Sequence, residues 1–361
     1  MKRIVITVTT DISYDQRVQK IAQSLHDFGY QVQVIGRKKA NSKGIDSEFK
    51  TRLINCFFSR SILFYAEYNV RLFFILLFSR LDVICSCDLD TLLAGGFVSK
   101  LRNKKLVFDA HEYFEESIEI IGNKKVQKTW EMIARICIPW TQDRYTVSES
   151  LAKIFKHKYS FDFELIRNLP ILLQIENPIT RDKIIWYQGA VNEGRGLDQV
   201  IDWMQNLDSY ALHIAGDGDM VDHLKEKTRA LHLENRVIFY GRLDYHQLIE
   251  NARNAFVGLD LLESKSPSYY YSLSNKTFDY MHSGLPSIQM NFPEYLKIQE
   301  EFQTGILLKK LDKQNFLNAI QQLEDANFYN QCVLECKRAA IIYNWNQEAV
   351  KLNAIYSKLC S

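Results

Sequence analysis

A polar turn that leads into a predicted helix, Ser272–Pro286, has the residue types and spacing that suit phosphate binding. The first amides of a helix carry partial positive charge and have no partner inside the helix. Lys276 adds a full charge, and Asp279, about one turn later, can accept hydrogen bonds from a ribose. The helix is predicted to end at Gly284, and Pro286 opens a buried strand. The segment predicts a nucleotide site, although such turns are also common as purely structural elements.

Three further turns with glycine follow predicted strands in the same half of the chain, at residues 187–197, 215–219 and 240–244. Glycine permits close approach of a backbone to a ligand, and Arg195 in the first turn can contact a diphosphate with two hydrogen bonds. Any one turn is a weak signal. Together with residues 274–279 on the same sheet edge, they predict a nucleotide-diphosphate site.

The loop after the first predicted strand offers Asp11, Asp15 and Arg17 and has no glycine before Gly29. A dinucleotide-binding loop needs glycines where the backbone meets the pyrophosphate, so NAD binding is disfavoured. The loop is predicted to present Asp15 and Arg17 to a substrate. A capping acid and a surface arginine are the structural alternative.

Two more sets of polar residues are predicted at strand ends of the first half. Asp88 and Asp90 form a D-x-D pair of the kind that holds a divalent metal in some sugar-transferring enzymes, but Asp90 stands where a helix over 91–100 begins, so an N-cap is the simpler role. Asp88 is retained as a candidate substrate contact, and no metal site is predicted. His111 and Glu112 follow a buried strand and should emerge at its carboxyl end.

The pattern of strands and helices predicts an α/β protein made of two similar, doubly wound parallel sheets. We assign domains to 1–170 and 171–338, with a linker around 168–181 and a last helix over 339–361. Open α/β sheets bind ligands at the carboxyl ends of their strands, so a cleft between the two domains is expected. The predicted strands are 4–9, 31–35, 82–86, 105–108 and 144–147, then 184–188, 210–215, 237–240, 255–259, 286–290 and 305–308.

Composition and charge fit a folded two-domain protein of 361 residues, of which 47% are hydrophobic and 12% aromatic. The opening residues do not predict a signal peptide. Seven cysteines without paired C-x2-C spacing fit a reducing cytoplasm. Residues 37–80 hold nine Lys and Arg against three acids, an excess too local to argue for nucleic acid.

The segment from Arg52 to Arg80 alternates aromatic runs with arginines and has two interpretations. Its run over 72–78 is too short to span a bilayer and could be a buried helix under the first sheet. The segment could instead meet an anionic membrane surface through its cations and exposed aromatics. We therefore predict a cytoplasmic protein, peripheral on the inner face of the membrane, with a lipid-linked acceptor.

The chain resembles the retaining family 4 glycosyltransferases in a set of ordered motifs: D-Q-R-V, D-L-D-T-L-L-A-G, F-D-A-H-E, R-N-L-P, Y-Q-G-A-V-N-E-G-R-G-L, I-A-G-D-G and S-N-K-T-F-D-Y-M-H-S-G-L-P. The resemblance runs from about Arg3 to Tyr356. It implies the GT-B fold, with a last helix that crosses back to the first domain. It also implies a transferase of polysaccharide or glycan biosynthesis that moves a sugar from UDP or GDP without a metal or other cofactor. The partners would be a nucleotide sugar and a glycan or lipid-linked saccharide.

The resemblance also assigns roles to residues of this chain. His111, Arg195 and Lys276 would be the catalytic residues, with Asp279 on the ribose and the neighbourhood of Leu243 around the base. The full set of donor-binding residues would be Gly189, Asn192, Gly194, Arg195, Gly216, Asp217, Arg242, Leu243, Tyr271, Ser274, Asn275, Lys276 and Asp279. The acceptor-binding residues would be Asp15, Arg17, Asp88 and Glu112.

One departure from the family keeps other interpretations open. Asp279 matches the second acid of the family's Glu-x7-Glu motif, but the first position holds Tyr271. The identity of the donor sugar is therefore left open. A UDP-sugar 2-epimerase on the same fold and a non-catalytic partner that binds sugar nucleotides are the two alternatives.

Overall fold

The computed structural model describes residues 1–40, 42, 44, 46–172 and 181–360. The chain forms two compact units, one of Met1–Asn168 with Gln347–Ser361 and one of Leu169–Asn346. The predicted boundaries at 170/171 and 338/339 compare with 168/169 and 346/347 in the structure. Most of the predicted linker, residues 173–180, lies outside the described residues.

The first unit is built on a seven-stranded parallel sheet in the order β3-β2-β1-β4-β5-β6-β7. Its central strands contain unbroken apolar runs such as Ile4–Ile6, which are buried. Such runs are expected where helices cover both faces of a parallel sheet, because side chains on either face are then removed from water. The strands are β1 Arg3–Thr7, β2 Gln31–Arg37, β3 Lys50–Ile54, β4 Val83–Cys87, β5 Lys105–Ala110, β6 Asp143–Thr146 and β7 Glu164–Leu165.

The helices of the first unit follow the predicted βαβ rhythm, with side-chain caps where the sequence offers them. Asp15 caps α1 through the Val18 amide, and Ser148 caps α6 through the Leu151 amide. The helices are α1 Gln16–Asp27, α2 Ser61–Phe78, α3 Leu89–Arg102, α4 Ile118–Ile121, α5 Lys124–Cys137 and α6 Glu149–Tyr159.

The second unit holds a six-stranded parallel sheet in the order β10-β9-β8-β11-β12-β13. Its strands are β8 Ile184–Gln188, β9 Ala211–Ala215, β10 Val237–Gly241, β11 Val257–Asp260, β12 Ser287–Met290 and β13 Gly305–Leu308. Its helices are α7 Leu197–Trp203, α8 Val221–Ala230, α9 Tyr245–Asn254, α10 Pro267–Tyr270, α11 Asn275–His282, α12 Pro293–Glu301, α13 Lys313–Leu323 and α14 Ala326–Ile342.

Both sheets reverse their strand order beside the first strand of the unit, between β1 and β4 and between β8 and β11. Such a switch point separates neighbouring loops and leaves a crevice at the carboxyl ends of the strands. Some of the predicted site residues lie after these four strands, and the others follow β5, β9 and β10 at the same sheet edges.

The prediction of one helix over 339–361 was wrong in one respect. The chain breaks at Tyr343 and Asn344, between α14 and the last helix, α15 Trp345–Cys360. The Asn344 side-chain amide donates to the Ile341 carbonyl at 2.7 Å, which terminates α14. From residue 347 onward the helix belongs to the first unit, where the buried Tyr356 lies beside Tyr145.

Two strands were absent from the sequence prediction, β3 at one edge of the first sheet and the two-residue β7 at the other. Four of the five side chains of β3 are exposed, so the strand lacks the apolar alternation that marks a half-buried strand.

Helix α2, which spans much of the segment from Arg52 to Arg80, has both a buried stripe and exposed apolar side chains. Among the described helices, α2 alone is long and apolar enough to cross a membrane, with a mean hydropathy of 1.5, although only 22% of it is buried. Phe64, Tyr68, Leu72 and Leu76, four residues apart, form the buried stripe. The stripe anchors α2 to the unit, while Phe78 and other apolar side chains stay exposed.

Candidate functional site

A charged cluster is buried at the carboxyl end of β5 in the first unit. The fully buried Asp109 accepts from the Arg17 guanidinium, at 2.8 Å from Nη2 and 3.3 Å from Nε. The Nε2 atom of His111 lies 2.8 Å from Asp109 Oδ2, the oxygen that also accepts from Arg17 Nε. Asp109 therefore joins a helix α1 cation to the predicted histidine and fixes the direction of its ring.

Asp88 holds His111 from the other side. Its Oδ1 accepts from the His111 backbone amide at 2.8 Å, and its Oδ2 lies 3.4 Å from the His111 Nδ1. Burial opposes protonation of His111, but the carboxylates of Asp109 and Asp88 outweigh it and raise its pKa to about 9. The side chain is 17% exposed, so the imidazolium can reach a ligand.

Burial also raises the pKa of the neighbouring acids. The pKa of Asp88 rises to about 7, mainly through desolvation, with His111 opposing the rise and Glu112 adding to it. Desolvation and the nearby Asp88 raise the pKa of Asp90 to about 8. This strand edge thus concentrates groups that change charge near neutral pH, which is typical of functional sites.

Two sequence predictions in the first unit were wrong. Arg17 is 4% exposed, and its guanidinium is occupied by Asp109 and the Ile166 carbonyl, so it cannot face an acceptor. Asp90 is not an N-cap, because α3 begins at Leu89 and the Asp90 carboxylate accepts from the Thr9 hydroxyl.

The remaining acceptor candidates keep some access to solvent. Asp15 caps α1 and also accepts from the Thr10 hydroxyl at 2.7 Å. Glu112 is exposed beside His111. Their contact with an acceptor stays a prediction.

One group of metal-ligand types occurs here. Atoms of Cys87, Asp109 and His111 lie within 4.8 Å of one another. Arg17 already neutralises Asp109, and a second cation on that carboxylate would meet its repulsion. The cluster therefore suits a histidine that is held in place better than a metal ion.

In the second unit, the start of α11 lies beside a buried acid that sequence reasoning missed. Asp260 ends β11, is 1% exposed, and accepts from Lys276 Nζ at 3.0 Å. It also accepts from the Thr277 and Tyr295 hydroxyls, at 2.9 and 3.0 Å. Its position directly after the predicted strand 255–259 was the available signal.

The first turn of α11 has no side-chain cap. Ser274 is the N-cap, but its side chain makes no capping bond, so the first-turn amides depend on groups outside the helix. The Ser274 amide itself donates to the Tyr295 hydroxyl at 3.3 Å, which leaves Asn275 and Lys276 as the candidate amides. Ser274 contributes its hydroxyl instead, 3.2 Å from Lys276 Nζ.

Lys276 and Arg195 lie close enough to influence each other. Burial lowers the pKa of Lys276, Asp260 opposes that change, and the charge of Arg195 adds to it. Arg195 lies over the Tyr269 ring at 4.8 Å, and within the described chain its buried Nε has no hydrogen-bond partner. Two cations therefore lie near each other here, and Asp260 pairs with Lys276.

The glycine loops bring backbone to this place. A Cβ on Gly216 would lie 1.8 Å from the Gly189 carbonyl oxygen, so the loops after β8 and β9 touch. A Cβ on Gly189 would in turn lie 3.4 Å from Cε of Lys276. Gly194, with a φ of +81°, adjoins the Tyr269 ring that supports Arg195.

Asp279 is oriented by two residues that the sequence did not single out. Its Oδ2 accepts from the Gln188 side chain at 2.8 Å, and its Oδ1 from the Tyr245 hydroxyl at 3.2 Å. Gln188 is itself fixed by the Trp186 indole at 2.9 Å. The carboxylate is half-buried and held at the carboxyl end of β8.

The other predicted donor residues lie in the same set of loops but are not all in contact. Arg242 is exposed and its Nε lies 3.2 Å from Asp217. Leu243 packs against the cluster around Trp186. Asn192 adjoins Gly218, and the Tyr271 ring packs edge-on against Tyr270.

We expect His111 to stay protonated through neutral pH and to titrate near 9 in NMR spectra of its ring nitrogens. Its pKa is raised in the fold, so its contribution to stability is complete below about pH 6.5 and is lost as pH rises through 9. Asp109→Asn should lower this pKa by more than one unit. Asp162→Asn, an exposed acid of the same unit, should leave it unchanged. Titration of His111 near neutrality in the parent protein would contradict the assignment.

Residues 171–340 match the family described as Glycosyl transferases group 1. No curated protein matches the chain significantly. This match covers nearly the whole of the second unit, which holds the glycine loops and α11.

Solved structures resemble the whole chain. Sucrose-phosphate synthase from Thermosynechococcus elongatus is 15% identical, with a TM-score of 0.77 and 99% of each chain covered. Anabaena HepE in complex with UDP-glucose is 14% identical, with a TM-score of 0.77, 99% of this chain and 100% of that chain. A putative UDP-N-acetylglucosamine 2-epimerase from Listeria monocytogenes is 12% identical, with a TM-score of 0.64, covering 98% and 95%. The chain therefore has the GT-B fold, and most of its second unit matches the family model of glycosyl transferases group 1.

Proposed function

We propose that this protein transfers a sugar from a nucleotide diphosphate, UDP rather than GDP, to a glycan or lipid-linked saccharide with retention of anomeric configuration. The observation that carries the proposal is the meeting of Arg195, Lys276 and the uncapped start of α11 at one place. UDP is favoured because the similar HepE structure contains UDP-glucose.

The donor would lie along the carboxyl edge of the second sheet. Its diphosphate would replace solvent at Arg195, Lys276 and the first amides of α11, a set of charge-assisted donors. The ribose would reach Asp279, whose oxygens are already aimed by Gln188 and Tyr245. The base would lie near Leu243, and Tyr271 would stand where other family members place an acid.

The chemistry needs charge stabilisation more than a protein base. In a front-face displacement the bond between the anomeric carbon and the diphosphate oxygen breaks, and the acceptor oxygen bonds to that carbon on the same face. The leaving diphosphate oxygen takes the proton of the acceptor hydroxyl. Arg195 and Lys276 would stabilise the negative charge that grows on that oxygen. As an imidazolium, His111 donates its Nε2–H to Asp109, and its Nδ1–H, 3.4 Å from Asp88, would be the group that donates to a hydroxyl or phosphate oxygen of a substrate.

A 2-epimerase is the second candidate, because the Listeria monocytogenes protein shares the fold. Incubation of a UDP-sugar without acceptor separates the two functions. Proton NMR should show an unchanged sugar for the transferase, and appearance of the 2-epimer would favour the other reaction. A non-catalytic partner would bind the nucleotide and leave the UDP-sugar unchanged both with and without an acceptor.

Donor affinity should depend on the two cations. A charge-assisted contact contributes about 1.5–3 kcal/mol, so Arg195→Ala or Lys276→Ala should weaken UDP binding about tenfold to a hundredfold in calorimetry. Arg229→Ala removes an exposed arginine of the same unit and serves as the control. Parent-like binding of both UDP and GDP by either site variant would remove the diphosphate assignment.

Turnover should survive chelation. Arg195, Lys276 and the α11 amides would neutralise the diphosphate, the role that a divalent ion has in metal-dependent transferases. Initial rates in EDTA should stay within about twofold of untreated enzyme. Complete loss that Mg²⁺ or Mn²⁺ restores would show that a metal is required.

The membrane part of the proposal places the protein on the inner, cytoplasmic face through the segment 52–80. Phe57 and Phe78 are 88% and 80% exposed, and Arg52, Arg60 and Arg80 are available to anionic headgroups. Sedimentation should show binding to anionic liposomes at low salt and weaker binding at high salt.

A double variant, Phe57→Ser with Phe78→Ser, should lower the partition coefficient between water and anionic vesicles on the order of tenfold. Each aromatic ring that leaves water for the membrane contributes hydrophobic transfer energy. Leu334→Ser, an exposed apolar residue of the second unit, is the control. Failure of the parent to sediment with anionic vesicles at low salt would argue against membrane attachment.

A further inference from the structure

An apolar groove of about 970 Å³ runs along the first unit, and its lining includes no residue of the charged cluster at β5. Helices α2 and α5 form its walls and α3, which packs against both, forms its floor. Val70 and Phe74 line one wall, Trp130 and Ile133 the other, and Phe97 the floor. The volume is at the upper end of the range for small-molecule sites.

Three polar side chains of the groove, those of Asn69, Asn123 and Thr129, form hydrogen bonds within the protein. The Asn69 amide donates to the carbonyls of Tyr65 and Asp90, at 2.9 and 2.7 Å, and its oxygen accepts from the Ala94 amide. Asn123 caps α5, and the Thr129 hydroxyl donates to the Lys125 carbonyl. A sugar or nucleotide would find few partners here, whereas a hydrocarbon loses nothing.

Cations stand at the α5 end of the groove. Lys125 lines it, and Lys124 and Lys128 are exposed on the same helix. None of the three forms an ion pair within the described residues, whereas the nearby Glu67 and Glu131 are paired with Arg71 and Lys158. The rim therefore complements an anionic headgroup attached to an apolar chain.

The groove is connected to the charged cluster through the start of α3. Asn69, in its wall, binds the carbonyl of Asp90, and Asp90 is two residues from Asp88, which holds His111. A lipid with its chain in the groove would therefore keep its headgroup within the same unit as the predicted acceptor residues.

We propose that this groove binds the hydrocarbon chain of a long-chain lipid phosphate that carries the acceptor saccharide. The inference rests on the proposed function for the identity of the saccharide. It adds a site on the protein that binds the hydrocarbon chain of the lipid-linked acceptor. The chain lies between α2 and α5, and Lys125 contacts the phosphate.

The first test uses dodecyl phosphate, below its micellar concentration, as the probe for the full-length protein. Calorimetry should show one site, and decyl phosphate should bind about tenfold more weakly, because each methylene contributes hydrophobic transfer energy. A brominated analogue should quench tryptophan fluorescence, and Trp130→Phe should remove most of that quenching. Affinity that does not change with chain length would overturn the proposal.

The second test compares two exposed apolar residues of the first unit, Val70 of α2 and Leu101 of α3. Val70→Asp places a charge in the groove and should weaken dodecyl phosphate binding at least tenfold. Leu101→Asp alters a helix of the groove outside its lining and should leave binding unchanged. Lys125→Gln should weaken dodecyl phosphate severalfold and leave 1-dodecanol unaffected. Equal effects of the two Asp variants would contradict a chain site, with circular dichroism checking that both fold.

The outcomes also separate this inference from the proposed function. UDP binding and sugar transfer without binding of dodecyl phosphate would overturn the groove and leave the transferase intact. Binding of dodecyl phosphate by a protein that does not bind UDP would support the groove and overturn the transferase. Concentration-dependent dimerisation that is abolished by Val70→Asp would show that a second copy covers the groove, and would overturn the proposal.

Discussion

The carboxylate of Asp260 is the feature on which the candidate donor site depends. It is buried at the end of β11 and receives Lys276, Thr277 and the Tyr295 hydroxyl. A buried charge without partners is costly, and loss of one member of such a pair typically costs about 3–5 kcal/mol. Asp260 therefore fixes the first turn of α11 against the sheet and holds the Lys276 ammonium at the place where the amides of that turn are uncapped.

The first unit uses the same physical solution with a different cation. Asp109 lies one residue before the end of the buried strand β5, is neutralised by Arg17, and orients His111. In both units a strand-end acid fixes a basic side chain at the edge where a parallel sheet offers its loops. Each basic side chain is therefore held in a fixed position relative to its sheet, where it could contact a ligand. Catalysis by positioning requires such fixed groups.

The two sheets were predictable because buried parallel strands are apolar throughout and alternate with amphipathic helices. The pairing inside the sites was harder to predict. Lys276 and Asp260 are sixteen residues apart, and only the fold shows that one neutralises the other. Arg17 was misassigned although it stands four residues before Ile21, on the apolar face of α1. That spacing was the available signal that Arg17 is buried. Arg17 was predicted to face solvent because its partner, Asp109, is 92 residues away in the sequence and could not be recognised there.

The central claim is that the start of α11 with Arg195 and Lys276 binds a nucleotide through its diphosphate. Calorimetric titration of the unmodified protein with UDP and with uridine tests it most directly, because the two ligands differ only in that group. Two or more charge-assisted contacts predict that UDP binds at least about a hundredfold more tightly than uridine. Equal affinities for UDP and uridine would contradict the claim.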